Sequence, residues 1–151
     1  MRHLSERKTW PLSSIILAVS GIALVGMGLY FIVLRPALLP EDVSYVGLSV
    51  GQLDIIRPRL EAWLIQVFRV LGGYVLATGV LTITLAATSF RTHHWGAAIG
   101  AMIGGAASIG LMAAVNFAIN SDFKWVIFSM ALLWACSLCL FWFEMKSLEN
   151  D

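Results

Sequence analysis

The chain has 151 residues, of which 59% are hydrophobic and only 13% charged, with a formal net charge of +1. Water-soluble domains carry about 25% charged residues, so an ordinary soluble enzyme of this size is excluded. No clustered basic field exists for nucleic acid, which is held through cations.

The charges are segregated. No Lys, Arg, Asp or Glu occurs in 11–34, 70–90, 95–121 or 125–143, stretches of 24, 21, 27 and 19 residues. About 20 residues of helix span the hydrocarbon core of a bilayer, so each stretch is long enough to cross. The chain therefore reads as an all-α integral membrane four-helix bundle, antiparallel up-down-up-down, forming one transmembrane domain over 1–151. Its helices are expected at about 11–34, 60–90, 95–119 and 123–143.

The first apolar run is too long for the 7–15-residue core of a secretory signal and is read as a retained helix. Thr9 is the expected N-cap, with Pro11 in the first turn, where a missing N–H is harmless. Arg35-Pro36 ends the helix, since the residue before proline is steered out of the α region. Residues 35–60, 26 in all, are expected to form one outer loop across the mouth of the bundle. Within it Tyr45 and Leu48 are spaced for a short interfacial helix. The second helix is expected from about Pro58, its first turns projecting outward. The 91–94 and 120–124 connections are tight, and connections this short make sequential helices antiparallel neighbours. Trp10, Trp63, Trp95 and Trp125 sit where interfacial aromatic anchors belong.

Orientation follows Lys and Arg near the ends of spans. Arg2, Arg7, Lys8, Arg91 and Lys146 fall on one side, and Arg35, Arg57, Arg59 and Lys124 on the other. This small bias, led by the N-terminal cations, places both termini in the cytoplasm.

Close packing, rather than apolar burial, associates helices in lipid. In the third helix Gly96, Gly100, Gly104 and Ser108 recur every four residues, with Ala97, Ala101 and Gly105 forming a second stripe beside them. The first helix offers Ser14, Ala18, Gly21, Val25 and Gly28 at heptad spacing, and the second Gly73 and Ala77. The Gly96–Ser108 stripe is expected either to pack centrally in the bundle or to form a homo-oligomer face. Enlarging Gly100 or Gly104 is expected to be the most damaging change.

Arg69 is the only charge well inside an expected helix, and intramembrane ionisable residues are functional-site candidates by default. Tyr30, Gln66 and Asn116 fall at similar depth, which suggests an outward-facing polar pocket. Its guanidinium would bind a carboxylate, phosphate or lipid headgroup. The plainer alternatives are that Arg69 snorkels to the headgroups or pairs with Glu61 or Asp54. Cys136 and Cys139, the only cysteines, read as inert apolar-like buried thiols. A metal set with His93 and His94 has suitable ligand types but generic spacing. No nucleotide loop, HExxH or catalytic triad is present, and no cofactor is implied. Ser108, Thr78, Thr82 and Thr84 are expected to bond to carbonyls one turn back.

The stretches LPEDVSYVGL (39–48) and WLIQVFRVLGGYVLATGVLTI (63–83) resemble a loosely defined class of uncharacterised small bacterial membrane proteins. In that class a polar first loop precedes an R-x-x-G-G start to the second helix, matched here by Arg69, Gly72 and Gly73. The resemblance implies four membrane helices in a bacterial inner membrane and no particular activity. Two functions stand: a structural or accessory subunit associating through small-residue helix faces with itself or a larger membrane complex, or a binder or carrier of a small anionic or lipidic ligand around Arg69. An enzyme ranks below both, because no nucleophile–base pair can be assembled.

Overall fold

A computed structural model describes residues 9–47 and 50–150. The expectations resting on Arg2, Arg7, Lys8 and Leu48 lie outside the described residues. The fold is all-α. Helix α1 (Leu12–Leu29) runs on through a π turn, Tyr30–Leu34. A short α2 (Pro40–Val46) follows, then α3 (Val50–Leu85), extended by a second π turn, Ala86–Phe90. Next come α4 (Trp95–Gly105), a third π turn (Ala106–Gly110) and α5 (Leu111–Ala118), and finally α6 (Lys124–Asn150). Four helical segments are long and apolar enough to cross a membrane: Leu12–Leu34, Asp54–Phe90, Trp95–Ala118 and Lys124–Glu149.

Two boundaries differ from the sequence reading. Helix α3 starts at Val50 and passes through Pro58, so residues 50–60 are helical and not part of a 35–60 loop. A proline in a helix removes one backbone bond and need not end the helix. Helix α6 also continues seven residues past Phe143, and Glu144 in that extension makes a tertiary contact. Glu144 Oε1 accepts the Ser13 backbone N–H at 3.1 Å, and Oε2 accepts the Ser13 hydroxyl at 2.5 Å. The N-cap position of α1 is Pro11 and has no capping side chain. The carboxylate at the end of the fourth span thus satisfies an orphan donor at the positive start of the first.

The first span packs against the second through glycine. A Cβ on Gly28 would lie 2.6 Å from Leu76 N and 2.8 Å from Gly72 O, and one on Gly79 would lie 2.7 Å from Gly21 O. Gly21 and Gly28 are seven residues apart, as are Gly72 and Gly79, so one antiparallel register brings both pairs together. On its other side the first span packs against α6, and the third span packs on α6 as well. The second and third spans touch only briefly, near the 91–94 turn.

The third span turns its second small stripe inward. Ala97, Ala101, Gly105, Ile109 and Ala113, spaced by four, are buried. Trp134 of α6 fills the space at Gly105 and donates its indole N–H to Ala101 O at 3.0 Å. Gly100 and Gly104 have no atom within 4 Å of a built Cβ, and neither has Gly73. Gly96 meets only the His94 ring that caps its own helix. The expected stripe is therefore rotated out of the intramolecular contact, one residue round the helix from the stripe in use. Gly73 and Ala77 are likewise exposed, and Gly72 and Gly79 take their place. Ser108, Thr78, Thr82 and Thr84 each donate to the carbonyl four residues back, as their position in apolar helices requires.

Both tight turns are Schellman caps with a non-glycine residue in the left-handed region. His93 (φ 56°) and Asn120 (φ 53°) hold that position, with His94 N bonding Ser89 O and Ser121 N bonding Asn116 O.

Candidate functional site

A cavity of about 350 Å³ lies between α1, α5 and α6, at the end of the helices remote from Ser13 and Glu144. Its apolar walls include Met27, Met112, Ile119, Val126 and Ile127, and the strap 35–42 covers it with Arg35, Leu39, Glu41 and Asp42. Small-molecule sites are mostly apolar hollows with a few placed polar groups, and this one has that make-up.

The strap is held by specific bonds. Arg35 Nη2 meets Asp42 Oδ2 at 3.2 Å, and Nη1 donates to Pro36 O at 3.0 Å. Asp42 Oδ2 also accepts the Leu39 N–H at 3.0 Å, closing the first turn of α2. The Arg35 guanidinium stacks on Phe68 of the second span and flanks Phe31. At the far side of the strap Glu41 Oε1 accepts the Ser121 hydroxyl at 3.3 Å, linking α2 to the turn before α6. Ser121 is buried, and its oxygen in turn accepts the Phe123 N–H at 3.2 Å.

Of the four residues expected to form a polar pocket, two line this cavity: Tyr30 from the π turn of the first span and Asn116 from α5. Asn116 Nδ2 donates to Met112 O at 2.9 Å, and its Oδ1 has no bond among the described residues. Gln66 and Arg69 are exposed, and no cavity residue comes from the second span. Their separation follows from the packing. The second span packs on α1 while α5 packs on α6, so equal depth does not bring Arg69 to Asn116. Glu61 pairs with Arg57 at 2.8 Å, not with Arg69.

The cation of the cavity is Arg35, which the sequence marks as a helix terminator and an outer-side cation but not as a pocket residue. Its sequence signal is the seven-residue interval to Asp42 across a proline-rich turn. Cys136 and Cys139 are free and exposed on α6, not buried. His93 Nε2 lies 3.0 Å from Glu144 Oε2, and His94 Nδ1 accepts the Gly96 N–H, so both rings are engaged elsewhere. Among the described residues no group of three or more His, Cys, Asp or Glu converges on a metal position.

The chain matches no protein-family model, no curated protein and no solved structure.

Proposed function

We propose that this chain is a multi-pass protein of a bacterial inner membrane, with both termini cytoplasmic, that holds a small amphipathic molecule in the cavity beneath the 35–42 strap. The observation that carries the reading is the cavity itself: about 350 Å³, largely carbon-walled between three helices, with Tyr30, Arg35, Asn116 and two carboxylates in its lining. Such a shape matches a molecule with an apolar body and a polar head. Extraction into native-lipid particles followed by mass spectrometry tests it. One retained small molecule or lipid is expected, and it should be lost when Asn116→Trp fills the space beside Tyr30 and Met112. Retention unchanged in that variant would overturn the reading.

A second reading, as a structural or accessory subunit, is favoured by the open Gly100 and Gly104 positions on the outward side of the third span. Glycine exposed on an apolar helix gives close access to another helix. Gly100→Cys in a Cys136→Ala, Cys139→Ala background should cross-link to a second membrane helix if this face is used. Monomeric migration under oxidising conditions would count against it.

A further inference from the structure

The cavity's charge decides what kind of head it takes. Its charged lining consists of one guanidinium, Arg35, and two carboxylates, Glu41 and Asp42. Arg35 and Asp42 neutralise one another at 3.2 Å. The guanidinium also has a carbonyl on Nη1 and the Phe68 ring against its face, so it is already occupied on several sides. Asp42 has a second donor in the Leu39 N–H. Glu41 differs: its only bond among the described residues is to the neutral Ser121 hydroxyl, and no cation pairs with it there. It is half-buried, at the mouth of an apolar space. A carboxylate partly withdrawn from water with one neutral donor keeps a strong attraction for a positive partner.

The aromatic lining has the same preference. Tyr30 and Phe123 lie 6.5 Å apart with their planes tilted by 50°, and Phe31 stands edge-on to Tyr30 at 5.9 Å. Ring faces carry negative quadrupole density and attract ammonium groups. An incoming carboxylate or phosphate would instead meet Glu41 and Asp42, and would have to take Arg35 from its partner.

We infer that the cavity selects a ligand with a cationic organic-ammonium head, held at Glu41 beneath the strap, with its hydrocarbon body between α1, α5 and α6. The inference rests on the ligand-binding reading above and reverses the anionic preference expected around Arg69. The head could belong to an ethanolamine phospholipid or to a free amphiphilic amine.

Native mass spectrometry of the full chain in neutral detergent separates these outcomes, with dodecyltrimethylammonium, dodecanoate and phosphatidylethanolamine offered at equal concentration. One bound dodecyltrimethylammonium is expected, favoured over dodecanoate by at least about tenfold, with Glu41→Gln abolishing the preference while the protein stays folded. Displacement of the amine by phosphatidylethanolamine supports the inference with a lipid headgroup as the source. Failure of that displacement supports it with a free amine as the source. Equal or tighter binding of dodecanoate, or a preference that survives Glu41→Gln, overturns the charge selectivity and leaves the cavity reading standing. Adducts that persist in Asn116→Trp, or their complete absence from the parent, overturn the cavity reading itself.

Discussion

The guanidinium carbon of Arg35 lies 3.5 Å from the centre of the Phe68 ring. The residue that pins the strap to the cavity thereby also leans on the second span, which contributes nothing to the cavity lining. Stacking and ion pairing act together at a side chain only 10% exposed. Arg35→Ala should lower stability in detergent by about 1–3 kcal/mol. Arg35→Lys should recover little of it, because an ammonium has no planar face to stack. A double-mutant cycle with Phe68→Leu should give a coupling of about 0.5–2 kcal/mol. Additivity of the two changes would show that the ring contact is idle. Arg69→Ala, by contrast, should shift stability by no more than about 0.5 kcal/mol.

Glycine substitutions should divide by helix face. At Gly28 and Gly79 an added methyl meets backbone of the facing helix at 2.6 and 2.7 Å, and backbone cannot step aside as a side chain can. Gly28→Ala and Gly79→Ala should each destabilise by about 1–3 kcal/mol, the usual range for overpacking. Gly100→Ala and Gly104→Ala enter open space and should be neutral or stabilising by up to about 1 kcal/mol, the helix-propensity difference. Thermal unfolding of the four variants in one detergent decides the matter, and the opposite ranking would return the Gly96–Ser108 stripe to the centre of the molecule.

At the opposite end, Glu144 holds Ser13 through both carboxylate oxygens and meets His93 on Oε2. Glu144→Ala leaves the Ser13 N–H and hydroxyl without these acceptors and should destabilise by about 1–3 kcal/mol. Hydrogen exchange should accelerate specifically in the first turn of α1. Protection unchanged there would mean that water caps the helix equally well. His93→Gly relieves a left-handed backbone position but removes the ring, so its effect should be smaller than that of Glu144→Ala.

Trp134 tests the contact between the third and fourth spans. Its indole N–H donates to Ala101 O inside the protein, and the residue is 4% exposed. Trp134→Phe keeps an aromatic ring and loses that bond, which should reduce stability by about 1–2 kcal/mol. Gly105→Ala drives a methyl into the indole and should be at least as damaging, with a shift in the Trp134 fluorescence. A neutral Gly105→Ala would contradict the close approach.

Much of this arrangement is legible in the residues. The charge-free runs mark the four long apolar helices because a polar group withdrawn from water is expensive wherever it sits. The hydroxyls of Thr78, Thr82, Thr84 and Ser108 bond one turn back because their partner carbonyls are on the same helix. The strap over the cavity mouth is also legible, since Arg35-Pro36 and Pro40 interrupt an otherwise apolar chain. Counting residues sets Tyr30 and Asn116 at similar depth, and both line the cavity.

Which segments are apolar helices and how they bond within themselves can be read from local residue order, since those properties are set within a turn or two of chain. Which way each helix faces emerges from packing alone. A helix apolar on all sides carries no amphipathic signal to orient it, so its rotation is fixed by the helices it meets. That rotation put Gly72 and Gly79 in contact in place of Gly73 and Ala77, turned Gly100 and Gly104 outward, and left Arg69 outside the cavity with Arg35 within it. It also joined Ser13 to Glu144, 131 residues apart, a pairing that no local pattern encodes.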